Sequence, residues 1–453
     1  MTEKQAEEDG EEPSKSKSAV RSLTKLNMRR TVLVTLPFMG ALTFWQAYDG
    51  LVPLMFKNTF GMEDTLTGVF MSLDNVLALF MLPLMGALSD RTTTRWGRRT
   101  PFIVVGALLA AALTPLIAVA MRNLPLFVTV LIATLVVLSI YRSPSVALMP
   151  DVTPRPVRSK ADAFNSLMAA VGGVIVLVAI ALLVPAVENP DYIPVYLVIS
   201  FMLLVTTIIF MVFFREPKEV AAMHRESAEL GIPEDEVDAS DEGGKEREED
   251  PIKRRSLVCV LVCVFFYFMS NNAVTSGISR YADVVWGMAG GSYAQVQTVA
   301  TLAAIVAYMP MAELSCKIGR KVTTYIGIAL MVVAPLLISG TTGFSAIIYV
   351  WVALFGIGMA TVSLTVYPMI MELASANSTG RYTGFYYTAS MSAQVVTPIL
   401  SGAVMQFVGY QYLYIYVAIC AAISAVPLLF VKNADSLTMD EVRERQAAAE
   451  EKR

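Results

Sequence analysis

The stretch GALSDRTTTRWGRRTP, residues 86–101, decides how this chain is organised. One apolar run, 76–88, ends in it, and a second, 102–120, begins directly after it. The charged residues between the two runs are Asp90, Arg91, Arg95, Arg98 and Arg99. A segment this charged cannot lie in hydrocarbon, so we predict a tight loop at a membrane surface. Basic residues between spans mark the cytoplasmic side, so the loop also sets the orientation of the chain.

The composition indicates a membrane protein. Of the 453 residues, 55% are hydrophobic and 16% are charged, whereas soluble domains carry about 25% charged residues. The net charge of −3 gives no excess of positive charge that would bind nucleic acid. The first 30 residues lack an apolar core, so no cleavable secretory signal is expected. His224 is the only histidine and the four cysteines lie on or beside apolar runs, so we expect no metal site, no cofactor and no enzyme activity.

Twelve apolar runs are long enough to cross a bilayer core of about 30 Å as helices. They lie at about 31–56, 66–88, 101–121, 124–149, 163–187, 193–214, 256–279, 294–315, 322–340, 345–371, 383–407 and 411–431. With the 86–101 loop in the cytoplasm, 31 of the 35 Lys and Arg residues fall in cytoplasmic segments. Lys57, Arg122 and Arg280 fall outside, and Arg142 falls within a span. This asymmetry predicts a multi-pass protein of the plasma membrane with both termini in the cytoplasm.

The spans divide six and six around one long polar segment. We predict a cytoplasmic tail over 1–30, a six-helix bundle over 31–214, a cytoplasmic linker over 215–255, a second bundle over 256–431 and a cytoplasmic tail over 432–453. The linker is acidic and then basic, and it is read as solvated, without a core of its own. The tail after Lys432 is expected to form a short surface helix.

The two halves repeat each other. GALSDR and GRR, within 86–99, match AELSCK and GRK, within 312–321, and both segments join the second and third spans of their half. Asp151 with Arg158, after the fourth span, weakly resembles Glu372 with Arg381, after the tenth. The predicted fold is therefore an all-α membrane protein of two pseudo-symmetric six-helix bundles, with a site between them.

These features resemble the major facilitator superfamily. The form SDRTTTRWGRRTPF, residues 89–102, is similar to the glycoside–pentoside–hexuronide cation symporters and the related sucrose/proton symporters. The stretch YRSPSVALMPDVTPRPVRSK, residues 141–160, supports the sucrose-carrier side. The resemblance implies alternating access, with a gating motif that closes the cytoplasmic side; the alternative is a plain orientation signal. The gating candidates are Gly86, Asp90, Arg91, Arg95, Gly97, Arg98, Arg99, Asp151, Arg158, Glu372 and Arg381.

One departure from the family bears on the coupling ion. Melibiose carriers share the RWG of residues 95–97, and aligned there, their sodium-binding acidic pair falls on Ala78 and Leu82. Their sugar-binding acids fall on Arg142 and near Leu42. The resemblance therefore does not extend to a melibiose-type site, and sodium coupling is disfavoured.

Two carboxylates lie within predicted spans. Asp49 lies about 18 residues into the first span from the cytoplasm, and Asp74 about eight residues into the second from outside. At about 1.5 Å per residue they share one height, where they could share a proton. Hydrocarbon disfavours ionisation, so we predict proton coupling at Asp49 and Asp74. Alternatively, Asp49 caps a break before Gly50, and Asp74 bonds neighbouring helices.

Further polar residues within spans are candidates for substrate binding. Arg142 could face the cavity as a fixed charge, or snorkel to the surface. Aromatic and amide side chains suit the C–H faces and hydroxyls of a sugar, although each could equally satisfy an interhelical hydrogen bond. The predicted substrate-binding residues are Trp45, Gln46, Tyr48, Asp49, Arg142, Asn271, Asn272, Tyr367 and Gln394. By the repeat, Ala300 and Ser363 replace Asp74 and Arg142, so coupling is expected in the N-terminal half.

The sequence predicts a secondary transporter that carries a glycoside or disaccharide with protons. No G-x-x-x-x-G-K-[ST] motif is present, so energy must come from a gradient. The expected partners are a small-molecule substrate, a sugar, and the lipid bilayer, with no nucleic acid, and the protein is expected to be a monomer. An organic-anion or lysolipid carrier and a non-transporting substrate sensor of the same fold remain alternatives. The particular sugar, the direction of transport and the coupling ion stay open.

Overall fold

The described residues of the computed structural model are 26–154, 157–187, 189–229, 251–341, 343–373 and 379–431. Across these ranges the chain is helical and carries no strand. The predicted surface helix after Lys432 lies outside the described residues.

Seven helices belong to the N-terminal part of the chain. They are α1 Met28–Leu54, α2 Asp64–Arg91, α3 Thr100–Val119, α4 Leu124–Asp151, α5 Arg158–Leu183, α6 Ile193–Phe213 and α7 Glu216–Glu229. A π-helical segment, Met55–Thr59, extends α1. Six further helices follow. They are α8 Pro251–Val285, α9 Tyr293–Ile318, α10 Arg320–Ser339, α11 Ile347–Leu373, α12 Thr379–Ala403 and α13 Leu413–Leu428, with a π-helical segment Val404–Val408 after α12.

Eleven of the helices are long and apolar enough to span a membrane. The helix α1 has 27 residues but carries Gln46 and Asp49, which lower its hydropathy. With α1 included, the described ranges hold twelve long helices and the short α7. The two-bundle, twelve-helix prediction therefore agrees with the architecture. Interior prolines such as Pro53, Pro144 and Pro310 are tolerated because neighbouring helices replace the lost backbone bonds.

Three segments differ from the prediction. Residues Gly86–Arg91 are the last turns of α2 rather than loop, because Ser89 and Asp90 find a partner in Arg99 at the start of α3. Residues 216–229 of the predicted linker form α7, which packs on the first bundle. The helix α8 runs from Pro251 to Val285 instead of 256–279, and it continues beyond 279 because the charge of Arg280 is neutralised inside the protein.

The two bundles meet through three helix pairs: α2 with α12, α5 with α9, and α1 with α8. Residues 92–99 mark one end of the molecule, called the loop end below. The opposite end, called the far end, carries 55–63, 286–292 and 409–412. The candidate residues of the first bundle lie between these ends, on the faces of α1, α2 and α4.

Candidate functional site

The polar centre of the N-terminal half consists of four side chains, called the Asp49 cluster below. Asp49 and Trp45 lie on α1, Asp74 on α2 and Arg142 on α4. Asp49 lies within electrostatic range of Asp74, and Arg142 attracts both carboxyl groups. Asp74 is only 5% exposed. The structure thus brings together three titratable or charged groups that lie up to 93 positions apart in the sequence.

Trp45 contacts Arg142 and lies near Asp74, so it stands between the charged groups of this cluster. The guanidinium of Arg142 lies over the Trp45 ring, 4.5 Å from its centroid, a cation–π contact worth about 0.5–2 kcal/mol. Arg142 therefore turns towards α1 rather than extending to the membrane surface. The indole N–H lies near the Asp74 carboxylate, yet among the described residues neither Nε1 nor Oδ1 makes a hydrogen bond of normal geometry. Buried polar atoms of this kind are normally satisfied, so they indicate a place for water or a ligand.

Tyr48 borders the Asp49 cluster, whereas Gln46 has other surroundings. The Tyr48 hydroxyl lies 3.3 Å from the carbonyl oxygens of Phe70 and Met71, so it ties α1 to α2. Gln46 is half-buried, and its side-chain oxygen lies beside Gly173 of α5. Tyr48 thus joins α1 to α2 within electrostatic range of Asp49 and Asp74, and Gln46 faces α5 of its own bundle.

The candidates of the C-terminal half are dispersed. Asn272 donates to the carbonyl of Phe268 one turn earlier, at 2.8 Å, which satisfies it within α8. The Oδ1 atom of Asn271 is buried, and no described residue donates to it. The backbone carbonyl of Gln394 accepts from Asn75 of α2 at 3.4 Å. Tyr367 is 36% exposed, and its hydroxyl lies 3.4 Å from that of Thr383.

Four further tyrosines that sequence reasoning missed lie near Tyr367. They are Tyr267, Tyr308, Tyr386 and Tyr387. The Tyr386 ring lies 5.1 Å from that of Tyr367 and 5.5 Å from that of Tyr387. Tyrosine is common in membrane helices, so the adjacent pair at 386–387 was the only sequence signal for this group.

The gating motif is organised around Arg99. Its guanidinium contacts Asp90 at 2.6 Å, Asp151 at 2.9 Å and the hydroxyl of Ser89 at 2.5 Å. Arg98 approaches Asp151 more loosely, at 3.8 Å. These bonds join the end of α2, the start of α3 and the end of α4, all within the N-terminal half.

A carboxylate outside the motif supports it. Glu216, the first residue of α7, is 2% exposed. It accepts the backbone N–H groups of Arg98 at 2.7 Å, Arg99 at 3.0 Å and Thr100 at 2.7 Å. A carboxylate at this helix start satisfies free N–H groups and complements the helix dipole. Gly97 is required beside it, because φ is +116° and a Cβ would lie 2.3 Å from the carboxylate.

The remaining motif residues of the first half make local contacts. Gly86 faces Ser143 of α4 at ordinary contact distance. Arg91 is exposed at the end of α2, and the guanidinium of Arg95 lies 5.7 Å from the centroid of the neighbouring Trp96 ring. Arg158 donates to the carbonyl groups of Pro150 and Thr153, which closes the turn between α4 and α5.

The second half carries a simpler version of the motif. Arg320, at the place of Arg98, pairs with Glu372, as Arg98 and Arg99 pair with Asp151 in the first half. Cys316, at the place of Asp90, is an exposed free cysteine. Arg381 lies over the ring of Phe385 at 5.9 Å.

At the far end, ion pairs join the two bundles. Arg280 of α8 is fully buried and contacts Asp64 of α2 at 2.7 Å. The hydroxyl of Tyr410 donates to the other oxygen of Asp64. Lys57 and Asp283 form a second, partly exposed pair at 2.8 Å. Arg280 and Lys57 are two of the three cations that the sequence places outside, and the tertiary structure uses both to join the halves.

Glycines bring the two backbones together at this end. A Cβ on Gly68 would lie 2.1 Å from the carbonyl oxygen of Pro398, and one on Gly290 would lie 2.0 Å from that of Pro185. A Cβ on Gly50 would lie 1.9 Å from the hydroxyl oxygen of Tyr293. No larger side chain fits at Gly68 or Gly290 without moving the backbones apart, and one at Gly50 would displace the Tyr293 side chain.

At the loop end the bundles stand apart. A Cβ on Gly384 of α12 would meet no atom within 4 Å, and Tyr387 is 52% exposed. The inter-bundle ion pairs of the described residues lie at the far end, and the contact of Asn75 with Gln394 lies half way. The Asp49 cluster therefore lies on the loop-end side of the inter-bundle ion pairs, and the open space between the bundles at that end is called the cavity below. In the described chain, no three His, Cys, Asp or Glu side chains group as metal ligands would.

Comparisons with known proteins agree with this architecture. Solved structures with the same fold include the inward-open xylose transporter XylE from Escherichia coli, with a TM-score of 0.66 and 14% identity over 91% of this chain and 98% of that one. The nucleoside transporter NupG, in a variant form, gives a TM-score of 0.66 and 10% identity over 89% of this chain and 100% of that one. At these identities the likeness shows the fold alone.

Curated relatives match over short segments. "Putative glycoside/cation symporter YagG" of Escherichia coli (strain K12) is 33% identical over 86 residues, 19% of this chain and 19% of that protein. "Proton-associated sugar transporter A" of Homo sapiens is 45% identical over 56 residues, 12% of this chain and 8% of that protein. The alignments thus cover less than a fifth of either relative's length.

A protein-family model covers much more of the sequence. The family described as MFS/sugar transport protein matches residues 35–430, from the second turn of α1 to beyond the end of α13. The match includes both bundles and the segment between them. The chain therefore belongs to the MFS/sugar transport protein family and is a membrane transporter with the major facilitator fold.

Proposed function

We propose that this transporter carries a glycoside or disaccharide together with protons, by alternating access between its two bundles. The observation that carries the proposal is the Asp49 cluster, which lies between a closed far end and an open loop end. The names of the relatives, a glycoside/cation symporter and a proton-associated sugar transporter, agree with it.

The charge of the cluster favours a neutral substrate. Two carboxyl groups accompany one guanidinium, so an organic anion would meet at least as much negative as positive charge. A sugar instead offers hydroxyl groups to carboxylate and guanidinium groups, and an apolar ring face to Trp45. The unpaired Nε1 of Trp45 and Oδ1 of Asp74 supply one donor and one acceptor for such hydroxyls.

The same cluster supports proton coupling. A guanidinium does not lose its proton, so Arg142 is a fixed charge, whereas Asp49 and Asp74 can take up or release a proton. An unpaired charge within the membrane costs several kcal/mol. Protonation of one carboxyl group leaves one anion for one cation, which makes the cluster neutral. Occlusion of a bound sugar is therefore favoured when a proton is bound as well, and this linkage couples their movement.

The predicted orientation places the protein in the plasma membrane with its loop end on the cytoplasmic side. In that orientation the structure corresponds to an inward-facing state. Release of sugar and proton to the cytoplasm would be followed by opening of the far end, once the Arg280–Asp64 and Lys57–Asp283 pairs separate.

A thermal-shift panel of sugars on purified protein at two pH values, followed by transport in proteoliposomes, tests the proposal. We expect one class of glycosides to raise the melting temperature, to support counterflow and to acidify the vesicle lumen as it enters. Binding without counterflow would indicate a sensor. A shift caused only by organic anions or lysolipids would replace the sugar with that substrate class.

A further inference from the structure

The C-terminal half presents a group of aromatic side chains to the cavity, called the tyrosine wall below. Its members are Tyr267 on α8, Tyr308 on α9, Tyr367 on α11, and Tyr386 and Tyr387 on α12. The rings are inclined to one another: Tyr386 meets Tyr367 at 68° and Tyr387 at 71°. Four different helices contribute, so the wall exists only in the assembled bundle.

The wall crosses the interior of the bundle rather than following one helix seam. The helix α9 packs mainly on α11 and α5, whereas α12 packs mainly on α2 and α8. Tyr308 of α9 nevertheless interacts with Tyr267 and Tyr386. The hydroxyl groups of these three tyrosines therefore lie near one another, although they come from three helices.

The rings are available to a ligand. Tyr387 is 52% exposed, Tyr308 44% and Tyr367 36%, whereas Tyr267 is buried behind them. Tyr387 also interacts electrostatically with Arg142 and with Asp162 of α5, so it faces the N-terminal half. One ligand can therefore contact the Asp49 cluster with one part and the tyrosine wall with another.

The two sides of the cavity differ in chemistry. By the internal repeat, Ala300 and Ser363 of the second half stand where Asp74 and Arg142 stand in the first. The N-terminal side thus offers charges to hydroxyl groups, and the opposite side offers aromatic faces. Aromatic faces favour flat, apolar surfaces such as the C–H face of a sugar ring or an aryl ring.

We propose that the tyrosine wall is a second subsite, which stacks on a second ring joined glycosidically to the sugar held by the Asp49 cluster. The substrate is then a two-ring glycoside rather than a monosaccharide. This inference rests on the proposed function, and it assigns to the C-terminal half the part of the substrate beyond the first sugar. The second ring can be a pyranose or an aryl group, since both present a flat apolar face.

The experiment measures binding to the full-length protein in nanodiscs. The probes are methyl, phenyl and glucosyl derivatives of D-glucose and D-galactose in both anomeric forms, together with sucrose. We expect the two-ring probes to bind about three- to tenfold more tightly than the matched methyl glycoside, the gain typical of aromatic contacts. The phenyl and glucosyl probes separate an aryl from a sugar second ring.

Substitutions test whether the tyrosine wall causes this gain in affinity. Tyr387→Leu and Tyr367→Leu keep apolar volume but remove the aromatic face, so the gain should disappear while methyl glycoside binding is retained. Tyr387→Phe keeps the ring and should keep the gain. The control is Tyr412→Leu, an exposed tyrosine at the far end, which should bind like the wild type. Methyl glycoside binding also reports that each variant is folded.

The outcomes separate the two proposals. If methyl glycosides bind and a second ring adds nothing, or if the gain survives both leucine variants, the second subsite is wrong and the sugar site stands. If the wild type binds none of the probes, with one ring or with two, the proposed function and the subsite both fail.

Discussion

Arg280 and Asp64 form a buried ion pair that joins the two bundles at the far end. The guanidinium of Arg280 is fully buried, lies 2.7 Å from the carboxylate and stands where α8 continues beyond its predicted end. A buried charge is stable only while it is paired. Opening of the far end must break this pair and expose both groups to water, so the pair sets the relative stability of the two states.

Asp64→Asn should therefore shift the protein towards the far-end-open state. It leaves Arg280 buried without an anion, which destabilises the closed state by about 3–5 kcal/mol. The measurement is alkylation of a cysteine introduced by Thr67→Cys, since Thr67 is fully buried in the closed far end. We expect labelling to be more than about tenfold faster than with Asp64 intact.

The matched control for this experiment is Asp283→Asn. Its pair with Lys57 is partly exposed, so the loss should be about 0–1 kcal/mol and labelling should change little. Equal labelling rates in Asp64→Asn and the parent protein would show that the buried pair does not hold the far end closed.

Gly68→Ala should act in the same direction for a steric reason. A Cβ at Gly68 would lie 2.1 Å from the carbonyl oxygen of Pro398, and backbone cannot yield as a flexible side chain does. We expect faster labelling at Thr67→Cys and slower counterflow, because the state with the closed far end becomes strained. Gly384→Ala is the control, since a Cβ there meets no atom within 4 Å. Normal counterflow in Gly68→Ala would contradict the close packing.

Asp74→Asn should separate sugar movement from proton movement. The amide cannot take up the proton, so substrate-driven proton entry into vesicles, followed with a trapped pH dye, should be abolished while sugar counterflow continues. Asp191→Asn is the control, because Asp191 lies outside the cluster and bonds the backbone N–H of Ile193 at the start of α6. Unchanged proton entry in Asp74→Asn would remove Asp74 from the coupling mechanism.

Glu216→Gln should weaken the hydrogen bonds that hold the gating motif against α7. The neutral amide is a poorer acceptor for the N–H groups of residues 98–100, and the loss of charge-assisted bonds is expected to cost about 1–3 kcal/mol. The readout is a lower melting temperature of the purified protein. Glu219→Gln, in the same first turn of α7, should leave the melting temperature unchanged. Equal melting temperatures for the two variants would show that the hydrogen bonds of Glu216 to residues 98–100 add no stability.

Part of the candidate site could be predicted from the sequence by one rule. A charge inside an apolar run is costly, so Asp49, Asp74 and Arg142 stand out whatever the fold, and the structure brings them together. The same rule missed Glu216 and Arg280, because both lie where an apolar run ends and charge is expected. It also missed Tyr387, since tyrosine is common in membrane helices and the rule considers only charged residues.

The sequence by itself determined the number of spans, their division into two bundles and the pairing of the repeats. These follow from the length of apolar runs and the distribution of charge, which are local properties of the chain. The tertiary structure alone decided which helix faces meet across the bundles. The burial of Arg280 against Asp64, the support of the motif by Glu216 and the convergence of five tyrosines all depend on contacts between residues far apart in the chain. No local pattern encodes such contacts, because they arise only when the twelve long helices pack together.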